Sequence, residues 1–389
     1  MAAVTSTAAE STRAVADRVR DAAARGDALR ITGRGTWLDA GRAARDVRAA
    51  DSLSLRDHAG IVEYVPGDLT LTVRAGTTLG EIRDATAAHN QWLAFDPHGS
   101  DDGTIGASVA TASAGPLSSA FGLPRDLTLG VEFVTGAGAI VRGGGRVVKN
   151  VAGFDLTRLI VGSWGTLGVI TEVALRLHAR PEADETLGVP LRDESRDAAR
   201  VHQFLRRMPF TPYACELLNS TAARTVTGRS DALALFRLGG NPEAVRGQRA
   251  SLAELGDVIE LSSDVWTRLR SAEPADAIAF RMSQVPSKID ELWRAGMRVS
   301  AACAGSLIVG RPVRGSLRCI VPANPANVSW LARHFADAAK SFTRVGERLP
   351  GELWSVVDGP SAADALSRSI KAKFDPNRVL NPGILGEAS

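Results

Sequence analysis

Along the first 180 residues apolar side chains recur at helical spacing in some stretches and at strand spacing in others, with polar or glycine-rich segments between them. Val15, Val19 and Ala23, four apart, predict a helix, and Ala28 to Thr32 predicts a strand running into Gly33. Ile61 to Val65 and Leu69 to Arg74 are β-rich runs split by Pro66-Gly67-Asp68, which predicts a hairpin. Thr78 with Glu81 three residues on is a capping-box signature, and Leu79, Ile82 and Ala85 supply the buried stripe of the helix it opens. Trp92 to Phe95 reads as a strand before the polar loop Asp96 to Gly103. A second strand pair, Leu127 to Val134 and Ala139 to Arg142, turns at Thr135-Gly136-Ala137-Gly138, and Leu167 to Leu177 reads as a long closing strand.

The pattern changes at Arg180-Pro181-Glu182, where proline restricts the residue before it, and this predicts a break between domains 1–180 and 181–389. Beyond it, helices are expected at Ser195 to Arg207, Pro242 to Glu254, Pro286 to Arg294 and Ala326 to Lys340. Strands are expected at Ala232 to Leu238, Arg298 to Cys303, Ser306 to Val309 and Leu317 to Val321. The mixture, without internal repeat, is that of an α+β fold.

A hydrophobic share of 44% over 389 residues suffices for two or three cores and sets disorder aside. The formal charge of +3, from 46 basic and 43 acidic residues without a basic cluster, gives no reason to expect nucleic-acid binding. Cys215, Cys303 and Cys319 are scattered and form no C-x-x-C pair, so they read as buried thiols rather than as disulfides or as iron–sulfur or zinc ligands. The first residues lack the basic start and apolar run of a secretory signal, and no stretch reaches the roughly 18 uncharged apolar residues a spanning helix needs. A cytoplasmic protein is expected, reaching the inner face of a membrane only through partners.

Glycine is concentrated in the first half: 23 of the 38 lie at or before Gly168. Three glycine or small-residue segments follow one another there. Gly33-Arg34-Gly35-Thr36-Trp37 has the Gly-x-Gly spacing that turns backbone N–H groups toward a diphosphate, although read alone it serves equally well as a plain strand-to-loop turn. A dinucleotide fingerprint of the NAD type would need glycine where Leu38 stands. Thr104 to Gly115 is built almost wholly of small residues, which favours close approach of a ligand over close helix–sheet packing. Gly162, Gly165 and Gly168 recur at intervals of three before the β-branched run Val169-Ile170-Thr171, and such a turn can offer main-chain groups to a planar heterocycle. The chemistry alone indicates a nucleotide cofactor.

These segments, in this order, resemble the FAD-binding domain of the vanillyl-alcohol oxidase and p-cresol methylhydroxylase (PCMH-type) superfamily, over about Leu29 to Leu177. Val73 to Ile82 (VRAGTTLGEI) and the ending Phe374 to Leu385 (FDPNRVLNPGIL) carry the resemblance further. The run from Gly143 to Glu172, GGGRVVKNVAGFDLTRLIVGSWGTLGVITE, is most similar to the FAD-binding subunits of glycolate oxidases, the GlcE type. The resemblance implies two α+β subdomains around FAD, then a smaller α+β substrate or cap domain, with the C-terminal segment returning to the flavin. It implies diphosphate binding by Gly33, Arg34, Gly35, Thr36 and Trp37, and a lining for the diphosphate and ribityl chain from Thr104, Gly106, Ser108, Ala112, Ser113, Ala114 and Gly115. Gly165 belongs to the third cofactor loop, Ile170 would bond the adenine side through its backbone, and Asn381 and Lys373 would lie near the flavin ring.

Two departures from the superfamily matter. Covalent members carry a histidine in the first loop, where this chain has Arg34 and Thr36, so noncovalent FAD is expected. The metal motif of the larger 2-hydroxy-acid dehydrogenases is missing, and beyond the domain break only His202 and His334 remain, so no metal site is expected. His98 either faces the cofactor or is a solvated loop histidine. The activity implied is oxidation of a small 2-hydroxy acid to a 2-oxo acid, with Arg281 and Lys373 as candidate catalytic cations; the sequence singles out no base. The chain would then be one subunit of a glycolate oxidase-like complex, beside a larger flavin subunit and an iron–sulfur subunit. A standalone FAD-dependent dehydrogenase of another hydroxy acid or alcohol and a non-catalytic assembly subunit are the alternatives.

Overall fold

Ser11 begins the first long helix by accepting a hydrogen bond from the amide of Ala14, and Gly26, at φ +70°, ends it in the left-handed conformation that glycine adopts without strain. Between these caps, Thr12–Arg25 buries Val15, Ala16, Val19 and Ala22, one stripe of a 3.6-residue period. In this computed structural model the described residues are 6–8, 11–38, 40–41, 51–145, 155–192, 196–337, 342–356 and 365–385.

The chain divides into two compact units. The first comprises Met1–Ala114, Gly122–Arg180 and Ser361–Ser389, and the second Gly115–Phe121 and Pro181–Pro360. In the first unit, Ile61–Val65, Thr70–Arg74, Val169–Arg176, Thr128–Val134 and Ile140–Gly144 form an antiparallel sheet in that spatial order. Leu29–Thr32 and Ser6–Ala8 lie parallel to either side of Asp51–Ser54 in a three-stranded sheet. One apolar core joins the two sheets, with Leu29 and Leu53 beside Leu71, Val73, Val131, Phe133 and Val173. Val379 and Leu380, 350 residues downstream of Leu29, are buried in that same core, and Leu380 forms a parallel bridge to Leu29.

The hairpin at Pro66–Asp68 and the capping box at Thr78 form as the sequence indicates. Thr78 Oγ1 accepts from the Glu81 amide at 3.1 Å, and the Thr78 amide donates to Glu81 Oε2 at 2.7 Å. Thr86 rather than Ala85 completes the buried stripe with Leu79 and Ile82. Thr78→Ala removes the acceptor for one otherwise unpaired amide and is expected to cost about 1 kcal/mol, read as a lower urea midpoint with an unchanged slope.

In the second unit eight strands form one antiparallel sheet, in the spatial order Ile259–Leu261, Ala183–Pro190, Leu233–Gly240, Ala214–Leu218, Leu307–Arg311, Ser316–Val321, Ile278–Ser283, Thr343–Arg348. Alternate residues serve opposite faces: Cys215 and Leu217 enter a large core with Phe236, Phe280 and Trp293, while Ala214 and Leu218 enter a smaller one with Trp266 and Val309. Two sequence expectations fail here. Arg298 to Cys303 is not a strand, since Ile289–Ala302 is one continuous helix burying Ile289, Leu292, Trp293, Gly296 and Val299. Its helical stripe against the sheet outweighs the local β character of Arg298 to Cys303. In the first unit the strand expected at Trp92 to Phe95 shrinks to Gln91–Trp92, paired with His178–Ala179.

Candidate functional site

Three sequence-distant loops of the first unit come together. Gly33, which follows the Leu29–Thr32 strand, lies so close to Thr104 that a methyl group placed on it would overlap the threonine side chain. The amides of Gly162 and Trp164 donate to the carbonyls of Val109 and Ala110 at 3.1 and 2.8 Å, which docks the third loop on the second. The rings of Trp37 and Trp164 meet at 5.9 Å between centroids, joining the first loop to the third.

Thr104 to Gly115, expected as an open small-residue loop, contains the short helix Ile105–Thr111. Ile105 and Val109 supply its apolar side, and Gly106 lies where an added Cβ would sit 2.6 Å from Ala75 Cβ. The close-packing role of small residues is thus present. The polar groups of Thr104, Gly106 and Ser108 are engaged within the protein: the Gly106 amide donates to Ala75 O at 2.9 Å, Ser108 Oγ to Thr104 O at 3.0 Å, and Thr104 Oγ1 accepts from the Ala107 amide. Ala112 turns the chain out of the helix at φ +51°, and Ser113 Oγ accepts the amide of half-buried His98 at 3.3 Å. Ala114 is buried, and Gly115 groups with the second unit.

Arg34, Gly35 and Thr36 are exposed, with Gly35 at φ +77°. Gly165, also left-handed at φ +69°, leaves 2.8 Å between an added Cβ and Asn381 Nδ2. Asn381 is therefore part of this cluster: its Nδ2 donates to Trp164 O at 2.8 Å, its Oδ1 accepts the Ile31 amide at 2.8 Å, and its own amide donates to Leu29 O at 3.0 Å. Ile170 is buried and pairs with Phe133, two residues beyond Glu172, whose partner Arg74 ends the pairing with Thr70–Arg74. Of the run from Gly143 to Glu172, residues 146–154 lie outside the described residues.

Lys373 stands exposed on the C-terminal helix Ala365–Phe374. The inward cation is Lys371, which sequence reasoning missed: its Nζ donates to Thr166 O at 2.7 Å, Asp375 Oδ2 at 2.7 Å and Leu380 O at 3.1 Å. Two residues apart on a helix point about 200° apart, so only one of the two lysines can face inward. The Lys371 and Asp375 pair, four apart and overlapping the FDPNRVLNPGIL motif, is the signal that would have found it.

The second unit holds a row of charges on the face of its sheet that carries the smaller core. Arg311 pairs with Glu216 at 2.8 Å, Arg318 with Glu347 at 2.6 Å and with Glu273, and Arg348 with Glu273 at 3.1 Å. Burial pushes the Glu347 carboxyl up, but Arg318 and Arg281 pull it down further, and it ends below the ordinary carboxylate range. Arg281 is the loosest member, 4.0 Å from Glu347 with 45% of its side chain exposed. Among the described residues, no group of three or more His, Cys, Asp or Glu side chains is placed to hold a metal ion. A groove of about 420 Å³ between His202, Arg206, Pro212 and Val313 includes none of the candidate site residues.

The geometry of the first unit suits a dinucleotide. The amides of Gly165 and Leu167 donate to no acceptor among the described residues. The first unit of this α+β protein thus gathers three sequence-distant glycine and small-residue loops into one backbone-rich cluster.

The FAD binding domain family matches residues 6–144. The chain is 31% identical over 394 aligned positions to the FAD-linked oxidoreductase MT2338 of Mycobacterium tuberculosis, covering 91% of this chain and 85% of that one. It belongs to the FAD-linked oxidoreductases. The glycolate oxidase subunit GlcE of Escherichia coli is 45% identical over 137 residues, a match spanning 35% of this chain and only 39% of that subunit. The crystal structure of p-cresol methylhydroxylase with substrate bound superposes with a TM-score of 0.75 at 17% identity, over 98% of this chain and 88% of that one, and supports the fold. No helix among the described residues is long and apolar enough to cross a membrane.

Proposed function

We propose that this chain is the FAD-binding subunit of a glycolate oxidase-like complex that oxidises a small 2-hydroxy acid to the 2-oxo acid. The observation that carries this reading is the 45% identity to a glycolate oxidase subunit over 137 residues. Residues 1–180, with the C-terminal segment, would hold FAD, and the rest of 181–389 would form the substrate or cap domain. Gly33 to Trp37, the backbone of Gly165 and of Ile170, and Asn381 would contact the cofactor directly, while Thr104, Gly106, Ser108 and Ala112 to Gly115 set the floor they stand on. The first loop offers no histidine or cysteine, which supports noncovalent attachment.

Bound FAD supplies a hydride acceptor. This chain's part is to orient the cofactor and to hold the substrate carboxylate. For the second task Arg281 is the candidate, because it is the exposed and weakly paired cation of its network. Lys373, exposed on the C-terminal helix, is the weaker of the two cations. A larger flavin subunit and an iron–sulfur subunit would carry the remaining chemistry.

The purified protein is expected to be yellow, to release its flavin into the supernatant on acid precipitation, and to oxidise glycolate or D-lactate slowly on its own with an artificial acceptor. Fast turnover by the isolated chain would overturn the subunit reading. It would favour a standalone FAD-dependent dehydrogenase.

A further inference from the structure

Asp375, fully buried, closes the C-terminal helix by accepting the amides of Val379 and Leu380 at 3.0 and 2.9 Å. The tight fit extends to the Thr135–Ala139 turn, where any side chain at Gly136 would overlap the Asp375 carboxylate and where the Gly136 amide donates to Phe374 O at 2.8 Å. Lys371 lies one helical turn before Asp375. An ammonium group has three protons to donate, and the three acceptors of Lys371 are Asp375, Leu380 and Thr166. Two belong to the C-terminal segment and one to the glycine loop that begins at Gly162.

Two carbonyls of that loop are thus held by the C-terminal segment, Trp164 O by Asn381 and Thr166 O by Lys371. A trans peptide is planar, with its C=O and N–H on opposite sides. Fixing these carbonyls toward the C-terminal segment aims the amides of Gly165 and Leu167 the other way, and neither amide finds an acceptor among the described residues.

We infer that Lys371 is a positioning residue for FAD: through Thr166, and with Asn381 acting through Trp164, it fixes the direction in which the Gly165 and Leu167 amides face the cofactor. Lys371 never touches FAD. The inference rests on FAD binding and not on the identity of the substrate or the partners.

The test uses the full chain carrying Lys371→Met, Lys371→Gln or Lys371→Arg. FAD affinity is read from the recovery of flavin fluorescence on dilution, and the melting temperature of each apoprotein is followed in parallel. The FAD Kd is expected to rise about tenfold or more in Lys371→Met, less in Lys371→Gln, which keeps an amide donor, and least in Lys371→Arg. The melting temperature gained on adding FAD should shrink in the same order. A Lys371→Met protein with a lower apoprotein melting temperature but the wild-type Kd would show a purely structural role and overturn the inference. If Lys371→Met does not fold, Lys371→Gln decides: a wild-type Kd there overturns it and a raised Kd upholds it.

Discussion

Arg318→Met is expected to destabilise the protein by about 3–5 kcal/mol at pH 7, a large share of the roughly 5–15 kcal/mol that holds a domain folded. Arg318 is 6% exposed and lies between two carboxylates, the buried Glu347 and the half-buried Glu273. After the substitution Glu273 keeps Arg348 at 3.1 Å, whereas Glu347 keeps Arg281 at 4.0 Å and the weaker pull of Arg311. The cost therefore falls on Glu347, a carboxylate left buried without a close cation. In the wild type its pKa is depressed, so its contribution is complete above the unfolded carboxyl value of about 4.3 and is lost as pH falls through the lower folded value. In Arg318→Met burial dominates and the folded pKa rises, so protonation relieves the strain. The destabilisation should be largest near neutral pH and shrink toward pH 4, and Arg318→Met with Glu347→Gln should recover most of it. Urea unfolding followed by circular dichroism at the two pH values checks this; a loss independent of pH, with no recovery in the double variant, would assign the effect to packing alone.

The same charges explain what was hidden in the sequence. Ile278–Ser283 and Thr343–Arg348 are the penultimate and edge strands of the large sheet, yet Arg281, Arg344, Glu347 and Arg348 interrupt their apolar alternation. Charges of that kind read as loop when each is seen alone, and they are tolerated in a sheet because cross-strand partners neutralise them. Local signals fared better where local chemistry decides: the Thr78 and Glu81 pair announced its helix, and Pro66-Gly67-Asp68 its turn. The glycine loops were legible as tight turns because positive φ at Gly35 and Gly165 is a backbone requirement visible in the residue type. Which donors those loops offer was not legible. The carbonyls of Ala75 and Thr104 take up the Gly106 amide and the Ser108 hydroxyl, and only the fold brings Ala75 there.

Gly33→Ala is expected to weaken FAD binding more than any other single methyl group in the first loop. Gly33 faces Thr104, whose Oγ1, Cγ2 and Cβ all stand within 3.2 Å of the position the new Cβ would take. Rotating the threonine does not clear the space, because both branches of its side chain are involved. Thr104 is 1% exposed and caps the Ile105–Thr111 helix, so moving it displaces the second loop as well. The first loop must then shift outward from the Leu29–Thr32 strand, carrying Gly35, Thr36 and Trp37 with it. Overpacking of this kind costs about 1–3 kcal/mol. Charged to the cofactor-bound geometry, that converts to a rise in Kd of roughly 5- to 150-fold at about 1.4 kcal/mol per decade. Thr104→Ala removes Oγ1 and Cγ2 and leaves only Cβ near the new methyl, so Gly33→Ala with Thr104→Ala should bind FAD more tightly than Gly33→Ala alone, although Thr104→Ala by itself loses a helix cap. Flavin fluorescence titration of the four proteins measures this coupling. Additive losses in the double variant would place the sensitivity of the first loop in Gly33's own backbone freedom and not in its contact with Thr104.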